Sequence, residues 1–178
     1  SIIVSNVLKV GSEPYGLALG LNSHLGLEYS ISFESSNFSE CKNLTVDGTN
    51  LYLSCNYSQS LRIKTGGEHV KNTDEVIAAS EQNSSLILKL SSDLNIIWQK
   101  DLGPEINLYT ESIKVTPFGN IMALASYTQE PYMQGGGNIL KDHKIVKLQQ
   151  MNGDVIWEKD ILGDGDEGSS NLLLNRDG

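Results

Sequence analysis

MNGDVIWEKD, residues 151–160, reads as strand, tight turn, strand, with a tryptophan near its end. Residues 92–101, SDLNIIWQKD, repeat the pattern, with Trp98 at the place of Trp157. The chain has 2 tryptophans, and both sit in this motif. Wider windows strengthen the match. LILKLSSDLNIIWQKDLG (86–103) and KIVKLQQMNGDVIWEKDILG (144–163) share apolar-Lys-Leu, a polar turn, apolar or β-branched residues, Trp and Lys-Asp. A looser copy, LALGLNSHLGLEYSISF (17–33), puts Tyr29 in the tryptophan slot, with Leu19, Leu21 and Leu25 where Leu88, Leu90 and Leu94 stand. An aromatic that returns at one place in successive hairpins marks an internal structural repeat.

A second hairpin follows each copy. SIKVTPFGNIMALASYT (112–128) turns at Phe118-Gly119-Asn120, and KNLTVDGTNLYLSCNYS (42–58) turns at Asp47-Gly48-Thr49. NLLLNRDG (171–178) begins a third. The unit is two hairpins, four short strands, over about 60 residues. The repeats run 17–60, 86–128 and 144–178 within one domain spanning 1–178, with an insertion between repeats at 61–85. No segment has convincing helical periodicity; GEHVKNTDEVIAASEQ (67–82) comes nearest. The expected fold class is all-β, and four-stranded repeats of this size predict the blades of a β-propeller as an incomplete ring. A β-sandwich also uses short strands and turns, but does not require the aromatic to return at a fixed place.

The repeat resembles the PQQ-like propeller family, in which a turn with glycine and a downstream tryptophan recur in each blade. Here QMNGDVIW (150–157) and SDLNIIW (92–98) carry the likeness. The resemblance implies that Trp98 and Trp157, and in the divergent copy Tyr29, dock between adjacent blades on the neighbour's turn. A large ring buries its area there while its N–H finds a backbone carbonyl. The family's quinone- and metal-binding residues have no counterpart here, so no cofactor is expected.

The balance of 13 Lys and Arg against 22 Asp and Glu, net charge −9, argues against nucleic acid and anionic membrane surfaces as partners. No apolar run approaches the roughly 18 residues needed to cross a bilayer, so no membrane insertion is expected. With 39% hydrophobic residues the chain can bury a core.

Cys41 and Cys55 flank the Asp47-Gly48-Thr49 turn. A three-residue loop would set Val46 opposite Asn50 and Cys41 opposite Cys55, close enough for a cross-strand disulfide; two buried free thiols are the alternative. Four Asn-X-Ser/Thr sequons, at Asn37, Asn43, Asn56 and Asn83, point to the same oxidising compartment. Asn37 and Asn83 fall in polar, loop-like stretches, whereas Asn43 and Asn56 fall inside predicted strands. A secreted or cell-surface location is expected, with N-linked glycans.

Motifs for chemistry are missing. His24, His69 and His143 have no ligand at helical or strand spacing, so no metal site is expected. GDGDEGSS (163–170) fails the EF-hand spacing and reads as a solvated acidic turn. MQGGGN (133–138) lacks the Lys-Ser/Thr of a phosphate loop and reads as a flexible linker. No catalytic residue is assigned. The expectation is a non-enzymatic extracellular propeller segment with a structural or protein–protein interaction role, in a cell-surface or filamentous assembly. The alternative is a sugar-binding or sugar-processing propeller with its site in the central channel. Three blades do not close a ring, and Asp177-Gly178 aligns with the Phe118-Gly119 turn. The sequence is therefore expected to belong to a longer polypeptide, or to be completed by another copy or partner through strand addition.

Overall fold

Hairpin turns fix the strand order in the computed structural model, which describes residues 2–10, 13–21, 27–35, 38–67, 73–92, 94–103, 107–128, 141–163 and 171–174. Gly48 (φ 58°) begins the turn between Asp47 and Asn50, and Gly119 (φ 83°) lies in the turn that Thr116 and Asn120 close. Both need the left-handed region, where a Cβ is penalised. Eleven strands result among the described residues: β1 (Ile2–Val10), β2 (Glu13–Leu21), β3 (Leu27–Ser35), β4 (Phe38–Asp47), β5 (Asn50–Gly67), β6 (Thr73–Leu90), β7 (Ile96–Asp101), β8 (Tyr109–Val115), β9 (Ile121–Thr128), β10 (Lys141–Leu148) and β11 (Val155–Ile161). All their pairings are antiparallel, and no helix occurs among the described residues. The fold is all-β.

β8 to β11 form a four-stranded meander. β4 to β7 form the same meander in the first sheet, through Asp47↔Asn50, Leu51↔Leu90 and Leu90↔Ile96. There, however, β5 and β6 are each 18 residues long. β4 occupies one edge of β5 as far as Ser58, and β3 takes the same edge from Leu61 onward, followed by β2 and β1. The change of partner falls at Gln59, which has φ 67° and a register shift against β6. A bulge of this kind bends a strand. β1 and β2 come back against β4.

Residues 61–85, expected as an insertion between repeats, lie in β5 and β6 wherever they are described. Their described part continues β5 and β6, paired from Leu61↔Ala78 to Thr65↔Thr73. Buried Leu61 and Ile63 alternate with Arg62 and Lys64, so the two-residue period of β5 runs on uninterrupted. The sheets are also out of phase with the repeats read from sequence. The copy 86–128 joins the last hairpin of the first sheet, β6–β7, to the first hairpin of the second, β8–β9.

Alternation along β5 builds two cores. Leu51, Leu53, Cys55 and Tyr57 point into one, with Ile31, Phe33, Leu86 and Leu88. Tyr52 points the other way, into a core shared with Ile87, Trp98, Ile113, Ile121, Ala123 and Val146, which lies between the two sheets.

Cys41 and Cys55 form a disulfide. The turn beside it has two residues rather than three, so Val46 faces Leu51. A bulge at Lys42 absorbs the difference and still sets Cys41 opposite Cys55.

Candidate interface between the two sheets

The two sheets meet through three zones. At the turn end, the loop between β10 and β11 is closed by Gln149 N–H donating to Asp154 O and Gly153 N–H donating to Gln149 O. Trp98, from β7 of the other sheet, lies on this loop. Its Nε1–H donates to Gln150 O at 3.0 Å, and Lys89 Nζ donates to the same carbonyl at 2.9 Å. Lys89 also stands 5.6 Å from the centre of the Tyr52 ring, a cation–π distance. Gln150 Nε2 donates to Asp47 Oδ2 at 2.7 Å, tying the β4–β5 turn to the same loop. A Cβ on Gly153 would lie 2.8 Å from Trp98 Cε3, and Gly153 has φ 76°. Both facts demand glycine.

The corresponding loop in the first sheet, 91–95, solves the turn differently. Leu94 takes φ 58° at the place of Gly153 and is buried in the first core. Burial of its side chain offsets the cost of a left-handed non-glycine residue.

The middle zone is apolar, the shared core described above. The third zone is a polar seam. Asn56 Oδ1 accepts Thr110 N–H and the Ser85 hydroxyl, each at 2.9 Å. Asn56 Nδ2 and Asn43 Nδ2 both donate to Thr110 O at 3.4 Å, and the hydroxyls of Ser85 and Thr110 bond to each other. Asn83 Nδ2 donates to Asn107 Oδ1 and to Tyr109 Oη, both at 2.7 Å, while Leu108 N–H donates to Asn83 O. Three asparagines of the first sheet thus hold the entry to β8.

These are three of the asparagines expected as glycan sites, and their amides are engaged in packing. Asn56 is 1% exposed, and a sugar on its Nδ2 cannot be housed in this packing. The amides of half-buried Asn43 and Asn83 are committed as well, Asn43 also to Ser54 Oγ at 3.0 Å. The sequon pattern Asn-X-Ser/Thr here reflects polar residues on one strand face. Asn37 lies outside the described residues.

The other sequence candidates are scattered. Trp157, in β11, is 42% exposed, with no seat comparable to that of Trp98 among the described residues. Tyr29 lies in β3 with its backbone opposite Gly20 and Gly67; its ring is outside the described residues. His143 is buried in β10, whereas His24, His69, residues 164–170 and MQGGGN are outside the described residues. Among the described residues, no three His, Cys, Asp or Glu side chains gather as a metal site would require. The sequence reading missed Lys89, Gln150 and Thr110. Lys89 left a trace, since Lys147 repeats it in the second copy. Gln150 and Thr110 act largely through backbone atoms and left none.

Burial also perturbs tyrosines. It pushes the hydroxyls of Tyr52 and Tyr109 above their ordinary range. Tyr57, which donates to Asp101 Oδ2 at 2.8 Å, is pushed well above that range, by burial first and the Asp101 carboxylate second. Below about pH 10 these groups are protonated in both folded and unfolded chains, so they give no pH dependence. Above it the unfolded chain ionises first, and stability falls. Denaturant midpoints should therefore fall steadily as pH is raised above about 10, and less steeply in Tyr57→Phe. An unchanged slope in that variant would remove Tyr57 from the account.

No known family's sequence profile matches the chain, and no curated protein matches it.

Proposed function

We propose that the chain is part of an extracellular, non-enzymatic β-propeller with a structural or protein–protein interaction role. The observation that carries the reading is the seat of Trp98 on the Gln150–Gly153 loop, which joins one four-stranded meander to the next. β4 and β8, the first strands of the two meanders, also lie against each other, as radial stacking around an axis requires. Asn43, Asn56 and Asn83 are occupied in holding the sheets together, which favours a structural role over chemistry. The Cys41–Cys55 disulfide favours an oxidising compartment. Of the expected glycan sites, the reading keeps Asn37.

Alkylation of denatured, unreduced protein from its natural source tests the compartment: no thiol should react. Two labelled cysteines would remove the extracellular assignment. Reduction should lower the unfolding free energy by about 3 kcal/mol, the chain-entropy value for a loop of about 15 residues. Intact mass and light scattering of the same material, with a screen against a glycan array, test the role. Assembly with protein chains is expected, and stoichiometric binding of a free sugar would favour the channel alternative instead.

A further inference from the structure

The loop beneath Trp98 holds a chemically reactive dipeptide. Asn152-Gly153 is the one Asn-Gly pair in the sequence. The backbone nitrogen of such a glycine can attack the side-chain amide carbon before it, because no Cβ obstructs the ring that forms. A bond forms between Gly153 N and Asn152 Cγ, the Cγ–Nδ2 bond breaks, and the proton of Gly153 N leaves through solvent with the departing ammonia. Water then opens the cyclic imide at either carbonyl, giving aspartate or isoaspartate at 152. Nothing is oxidised or reduced, and water is the co-reactant.

Most of this reaction is set in place. Asn152 is exposed, so water and ammonia have access to it. Its Oδ1 accepts Asp154 N–H at 3.1 Å, and its Nδ2 donates to Asp154 Oδ2 at 2.6 Å. Both ends of the carboxamide are thus tied to residue 154, with a backbone N–H on the oxygen where charge grows during attack. The nucleophile is withheld. Gly153 N–H donates to Gln149 O at 3.0 Å, so it is committed within the loop. Gly153 is buried, and Trp98 lies against it with its own N–H bonded to Gln150 O. For Gly153 N to reach Asn152 Cγ, the bond to Gln149 must break and the loop must move under the ring. In the corresponding loop of the first sheet Asp93-Leu94 stands instead, where a bulky side chain hinders the same attack.

We propose that Asn152 is a site of spontaneous deamidation gated by the seat of Trp98, so that conversion proceeds from chains whose sheet junction has opened. Conversion then fixes the junction open. Isoaspartate routes the backbone through the former side chain and lengthens it by one carbon, directly beneath the ring. Either product also sets a new carboxylate beside that of Asp154, where Nδ2 donated before. A transient separation of the sheets is thereby recorded as a lasting one. The inference goes beyond the propeller reading and needs only the two sheets and the loop between them.

Incubation in heavy-oxygen water marks residue 152 as it converts, and peptide mapping with electron-transfer fragmentation separates aspartate from isoaspartate. The folded chain should convert roughly tenfold or more slowly than the urea-unfolded chain at the same pH. Trp98→Phe keeps a ring over Gly153 but loses the bond to Gln150 O, and should convert about tenfold faster than the parent while still folded. Tyr57→Phe loses a hydrogen bond at the first core, away from the loop, and should keep the parent rate. Equal rates in folded and unfolded chains overturn the proposal, as does a Trp98→Phe chain no faster than the parent. Equal acceleration in both variants makes global unfolding the route and overturns the gating. In a Trp157→Phe background, acrylamide should quench Trp98 fluorescence more strongly in the isolated isoaspartate form than in the unconverted chain. Equal quenching overturns the claim that conversion fixes the junction open.

Discussion

Trp98→Ala is expected to lower the unfolding free energy by about 3–5 kcal/mol, the range for truncating a buried large aromatic. The ring is 8% exposed, lies against the Gly153 backbone, and stands 6.1 Å from the Tyr52 ring. Its removal opens a void between the sheets and leaves Gln150 O to Lys89. Trp98→Phe should cost less, about 1–2 kcal/mol, because most of the void stays filled and the lost hydrogen bond dominates. Trp157→Ala should cost about 1 kcal/mol, since a ring that is 42% exposed has less burial to lose. The repeat alone suggests equal losses for the two tryptophans. Chemical denaturation separates these expectations, and equal midpoint shifts would count against the docking of Trp98.

Asn56→Ala is expected to cost about 4 kcal/mol. The substitution strips the Thr110 N–H, the Thr110 carbonyl and the Ser85 hydroxyl of a shared partner inside a buried seam. Each buried group left unpaired costs about 1–3 kcal/mol, and the Ser85–Thr110 contact retains part of the loss. Ser58→Ala destroys the same sequon without touching these bonds. If a glycan at Asn56 stabilised the protein, Ser58→Ala would be as damaging as Asn56→Ala. Near-native stability in Ser58→Ala with severe loss in Asn56→Ala is the outcome the seam requires.

The hairpins were legible in sequence because they are local. Gly119 and the alternation around it specify β8 and β9, and the Lys-Leu strand before each tryptophan specifies β6 and β10. Partner choice was not legible. Nothing in residues 61–67 announces that they extend β5 instead of leaving the sheet, because the alternation of a strand is the same whichever neighbour it takes. The packing role of the sequon asparagines was not legible for a related reason. Asn43 and Asn56 lie on one face of paired strands, and only the approach of β8 shows that this face is interior. The cysteines were placed correctly across the hairpin although the turn was misjudged by one residue, since the bulge at Lys42 cancelled the error.

The carbonyl of Gln150 has a consequence for how substitutions will be tolerated. Trp98 and Lys89 contribute side chains to the contact, whereas residue 150 contributes an atom that every amino acid possesses. A saturation scan should therefore find the junction one-sided, intolerant at Trp98 and at Gly153 but more permissive at 150, where side-chain contacts such as the hydrogen bond to Asp47 are at stake and the carbonyl is not. Over generations one bank of the junction can drift in sequence while the other stays fixed, and the loop's identity would fade from view long before its function did.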